Sequence, residues 1–97
     1  MERKLSIKKL LKATAEVFEC SVNDILKGNR LFKACDARTA ICAILRENGY
    51  LRSDITRIVG RKKGSVSSMF VKHDDFITFN RNYRDKYIKI KESDIYE

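Results

Sequence analysis

Arg61, Lys62, Lys63, Gly64, Ser65 and Ser68 have the most chemically suggestive spacing in this sequence. Three consecutive cations ahead of a helix start can hold phosphate oxygens. Small hydroxyl side chains one turn apart can approach base edges in a groove. A second basic stretch, Lys27 to Lys33 with Arg30 between them, has the composition of a loop that could add phosphate or groove contacts. Together these residues describe polyanion binding rather than bond-making chemistry.

Two short helices must position the first group. Ser53 can cap a helix that begins at Asp54, and Ile55, Ile58 and Val59 give it an apolar stripe. Gly60 ends that helix, because glycine takes the left-handed conformation without strain. After the turn a second helix starts near Ser65, burying Val66, Met69, Phe70 and His73 and presenting Ser65, Ser68 and Lys72. This pattern, over about 53–72, fits a helix-turn-helix, and it also fits an ordinary helical hairpin with a solvated outer face.

Charge separates the two readings better than periodicity does. Of the formal +8, residues 1–26 carry +1, residues 27–72 carry +8 and residues 73–97 carry −1. The whole excess surrounds the helix-turn-helix, as a nucleic-acid footprint requires. A merely solvated surface has no reason to concentrate its cations in this way.

The 97-residue chain contains no proline and four glycines, which suits one compact domain of helices and short turns. No apolar run approaches the roughly 20 residues that span a membrane, and Met1 to Leu5 lacks the apolar core of a signal peptide. Cys20, Cys35 and Cys42 show no Cys-x-x-Cys spacing. Cys35 and Cys42, seven apart on one helix face, read as small core residues of a reduced cytoplasmic protein. A single histidine argues against a zinc site, and no cofactor is expected.

Five to six helices follow from the remaining pattern. Ser6 to Phe18 is amphipathic, with Lys8, Lys9 and Lys12 between its apolar positions. Ser21 and Asp24 form a capping box for a brief helix that ends at Gly28. Ala34 to Asn48 is the expected central helix, its inner stripe being Ala34, Ala37, Ile41, Ile44 and Leu45, with Gly49 as its C′ residue. Lys72 to Asp75 reads as a polar interval. Tyr83, Tyr87 and Ile90 mark a last helix over about 79–91, and residues 92–97 are expected to fray.

In this order the segments resemble the C-terminal DNA-binding domain of the bacterial chromosomal replication initiator DnaA. The resemblance rests on Ala15-Glu16-Val17-Phe18, Ser21 to Leu26, the loop around Arg30, Leu45-Arg46-Glu47, Ser53 to Arg57, and the turn into Ser65-Val66. It implies an all-α, Trp-repressor-like domain whose helix after Arg61 enters the major groove. It further implies that Arg30 lies in the adjacent minor groove and that Arg38 is another DNA contact. The family's base-reading signature, Asp-His followed by two Ser/Thr residues, is here Lys62, Lys63, Gly64 and Ser65. Asp36 and Ala37 stand where the family has arginine and proline. The initiator's nucleotide-binding portion is missing too, since Gly60 to Ser65 lacks Walker A spacing.

The expected function is therefore double-stranded DNA binding, as a replication accessory or regulator without ATPase activity. Its contacts are Lys27, Arg30, Lys33, Arg38, Arg61, Lys62, Lys63, Gly64, Ser65 and Ser68. Arg52 and Arg57 either add to this face or are simply solvated. The alternatives are RNA binding and a protein-interaction module that uses Tyr83 and Tyr87 on the last helix as its partner face. Enzymatic chemistry is not expected, because no paired carboxylates, phosphate loop or histidine-centred site can be assembled.

Overall fold

The computed structural model describes residues 4–27 and 32–97, which form an all-α domain of six helices. α1 spans Ile7–Val17, and the Ser6 hydroxyl caps it by accepting from the Lys9 N–H. α2 spans Val22–Leu26 and carries the expected capping box, with the Ser21 and Asp24 side chains accepting from each other's backbone N–H groups. Its expected end at Gly28 falls outside the described residues, as does Arg30.

α3, Phe32–Glu47, is the central element and packs against all five other helices. Ala37 through Leu45 are buried without interruption, so no face of this stretch meets solvent. Alanine and cysteine at positions 34, 37, 40, 42 and 43 let neighbouring backbones come close. The helix ends in a Schellman motif: Tyr50 N–H donates to the Leu45 carbonyl and Gly49 N–H to that of Arg46. Gly49 has φ +85°, a conformation that a β-carbon would strain.

α4 spans Arg52–Val59 and α5 spans Lys63–Phe79, joined by the turn Gly60-Arg61-Lys62. Two helices joined by a tight turn are thus present where expected, with two local corrections. The N-cap of α4 is Leu51, which makes no side-chain cap bond, and Ser53 lies inside the first turn. The interval from Lys72 to Asp75 does not break α5; Asp74 and Asp75 are exposed, Lys72 pairs with Asp36 on α3, and His73 turns inward. The break comes at Asn80, whose side chain accepts from Tyr83 N–H and starts α6, Arg81–Glu92.

The C-terminal end does not fray. Tyr96 pairs with Leu5 in a single antiparallel bridge, Ser6 N–H donates to the Ile95 carbonyl, and Glu97 N–H donates to that of Lys4. Ile95 is fully buried, and the Lys9 ammonium donates to Asp94 and to the Tyr96 carbonyl. The apolar residues Ile95 and Tyr96 supply burial that offsets the ordering cost of a chain end. Among the described residues no helix is long and apolar enough to cross a membrane.

Candidate nucleic-acid interface

Gly60 sits at φ +67°, the left-handed conformation that ends α4 and turns the chain into α5. A methyl at this position would lie 3.7 Å from the Leu26 carbonyl at the end of α2. The turn therefore lies against the α2 terminus, one residue ahead of Lys27.

Ion pairing sharpens this concentration of charge. Within 27–72, Lys33 pairs with Glu19, Arg46 with Asp74, Arg57 with Asp54 and Lys72 with Asp36. Arg52 donates to the Ser67 hydroxyl at 3.0 Å and ties α4 to α5. Arg61 donates to the neighbouring Gly60 carbonyl. Among the described residues, Lys27, Lys62 and Lys63 form no ion pair and are exposed. Within the described part of the middle segment, the cations without a carboxylate partner thus include the three consecutive ones at the turn, although Lys8, Lys12 and Lys89 on α1 and α6 are also exposed without an ion pair.

The start of α5 adds to the same field. Lys62 provides no capping acceptor, and the first turn contains no acidic residue. Its leading N–H groups and the positive end of the helix dipole thus lie among lysines, an arrangement that costs free energy until an anion arrives. Gly64 and Ser65 are exposed, and nothing lies within 4 Å of a β-carbon built at Gly64. Ser68 is exposed too, its hydroxyl donating back to the Gly64 carbonyl at 3.0 Å.

Several expected site residues fall elsewhere. Arg38 is buried at 2% exposure, with its guanidinium 3.6 Å from the Cys35 sulfur, so it is not presented as a surface contact. Burial, and then the nearby positive charge of Arg61, hold that guanidinium below its ordinary pKa. Lys72 does not join the outer face of α5. It turns to Asp36 on α3 at 3.2 Å and lies over the Phe76 ring. Asp36, at the position where the resembling family has arginine, is thus a scaffold residue. Arg57 is engaged with Asp54 at 2.7 Å.

The outermost line of α5 is instead Gly64, Ser68, Val71 and Asp75, all exposed. Residue type gives no reason to single out Val71 or Asp75, although the i, i+4, i+7, i+11 spacing from Gly64 places them there.

Tyr83 and Tyr87 are core residues rather than a partner face, exposed by only 2% and 5%. The Tyr83 hydroxyl meets His73 Nδ1, and the Tyr87 hydroxyl donates to Glu47, which also accepts from Lys91 at 2.8 Å. Burial pushes both phenols well above their usual pKa. It pushes the Cys42 thiol up to about 12, as suits a small apolar core residue.

The fold defines a small all-helical domain in which two helices, α4 and α5, are joined by a basic turn. No family model, no curated protein and no solved structure matches this chain.

Proposed function

We propose that this protein binds double-stranded DNA through the α4–α5 turn and the first two turns of α5. The observation that carries the reading is the segregation of charge. Among the described residues, most other cations of the middle segment are compensated by a carboxylate, whereas Arg61, Lys62 and Lys63 stand consecutively at the turn without one, and Lys27 follows the α2 end against which the turn lies. An uncapped helix start in their midst asks for the same ligand, a row of phosphates. Small side chains at Gly64, Ser65 and Ser68 leave room for a groove wall to approach α5.

The role proposed is occupancy of sites, as a replication accessory or regulator, with the scaffold of the initiator-like domain and a different set of base-reading residues. The interaction-module reading is deprived of the face it relied on, since Tyr83 and Tyr87 lie in the core. The test is a titration of the purified chain against labelled duplex DNA, with structured RNA and unlabelled duplex as competitors. Saturable binding that duplex competes best, and that weakens in the Lys62→Ala/Lys63→Ala double variant, is the expected result. No binding, or stronger competition by RNA, would overturn it.

A further inference from the structure

The outward line of α5 includes one apolar side chain for which the fold provides little cover. Val71 is 63% exposed in the middle of a 17-residue helix. It follows Ser68 by three residues and Gly64 by seven, so it shares their face, opposite the buried Val66 and His73. Its neighbours on the helix are tied elsewhere. Ser67 accepts from Arg52, Phe70 lies under the Arg46 guanidinium at 4.4 Å, and Lys72 turns to Asp36. Val71 projects between them. One turn further along the same line, Asp75 puts negative charge, uncompensated among the described residues, where a polyanion must already have left the helix. The DNA-facing part of α5 thus runs from Lys63 to Val71, and its far end is apolar.

Resting on the DNA-binding reading above, we infer that Val71 is a specificity-determining residue that packs against the 5-methyl group of a thymine in the major groove. A valine cannot satisfy the donors and acceptors on the other base edges, and covering them costs their hydrogen bonds to water. Thymine alone presents a methyl group in that groove. Because Gly64 and Ser68 carry little bulk on the same line, the helix can approach closely enough for the contact. Lys63 and Val71 are separated by about 12 Å along the helix at 1.5 Å per residue. With base pairs about 3.4 Å apart, the thymine falls within roughly three to four pairs of the Lys63 contact.

The test begins with duplexes selected from a random pool by the wild-type protein, in which each thymine is replaced singly by uracil. Uracil pairs identically and lacks only the methyl. At one position the replacement should weaken wild-type binding about three- to fivefold, the value of one buried methyl. In Val71→Ala that difference should fall close to one, and Val71→Ile should retain it. If the protein binds DNA but no uracil position matters, or if Val71→Ala weakens binding equally on both duplexes, the inference fails and the DNA-binding reading stands. If the protein binds no duplex at all, the DNA-binding reading fails and takes this one with it.

Discussion

His73 on α5 and Tyr83 on α6 share a hydrogen bond of 2.7 Å, between Nδ1 and the phenol oxygen, across the break at Asn80. The Tyr87 ring lies 4.6 Å from the same imidazole. Burial holds His73 below its ordinary pKa; Asp74 and Glu47 pull it up, and Arg46 and Lys91 push it down. The imidazole therefore stays neutral in the fold at a pH where the unfolded chain takes up a proton. Its contribution to stability is present above about pH 6.5 and is lost as pH falls below that value. Urea unfolding between pH 8 and 5 should show that decline, and His73→Gln should flatten it. Glu47 also has a lowered pKa: its burial is outweighed by the Lys91 and Tyr87 hydrogen bonds. Its contribution disappears in a separate window, below the ordinary carboxylate range.

Removing the two tyrosine hydroxyls should have unequal effects. Tyr83→Phe leaves a buried imidazole nitrogen without its partner, a cost of about 1–3 kcal/mol. Tyr87→Phe leaves Glu47 with Lys91 and partial access to water, so the cost should be smaller, about 1 kcal/mol. Equilibrium denaturation of the two variants ranks them directly, and the reverse order would contradict the network.

The closed ends of the chain make a third expectation. Ile95 is fully buried, so Ile95→Ala should destabilise by about 2–5 kcal/mol, with truncation after Glu92 at least as severe. Thermal unfolding would report either change. An unchanged midpoint would return this segment to the frayed state that its composition suggests.

That segment shows where sequence reading stops. The helices are legible because most have a local signal: the Ser21–Asp24 box, Gly49 and Gly60 after their helices, and the 3.6-residue stripes of α1 and α4. The tail has none, since its partner Leu5 lies at the other end of the chain and periodicity carries no information about that pairing. Local polarity leaves the continuity of α5 through 72–75 undecided for a related reason. Lys72, Asp74 and Asp75 look like a loop until Asp36 and Arg46 on α3 are seen to pair with the first two. The site is legible as composition but not as geometry. The basic stretches are visible, whereas the burial of Arg38 and the outward direction of Val71 depend on how α5 rotates against α3.

DNA affinity should fall steeply with salt, because the binding face releases counterions from phosphates. Lys62→Ala and Lys63→Ala should each reduce the log–log slope by roughly 1. Arg38→Met should leave it unchanged, since that side chain is buried. Salt-independent binding, or a slope that falls with Arg38 and not with the lysines, would relocate the interface.

The last expectation concerns which site is preferred. Histidine and aspartate, which open the recognition helix in the initiator-type domain, can accept hydrogen bonds at base edges, and the histidine can also donate. Lys62 and Lys63 can only donate, so the acceptors O6 and N7 of guanine suit them, while adenine and cytosine amino groups do not. Gly64 offers no methyl, and Asp36 is committed to Lys72 rather than to DNA. Forgoing one base-specific hydrogen bond typically costs about 1–3 kcal/mol of discrimination, so two or three such substitutions remove most preference for the initiator's own site. Competition at fixed salt, using that site, a scrambled duplex and a guanine-substituted duplex, should favour the guanine-containing one. Selective binding to the initiator's site would instead mean that the lysines at 62 and 63 reproduce its recognition by a route other than accepting hydrogen bonds from the bases.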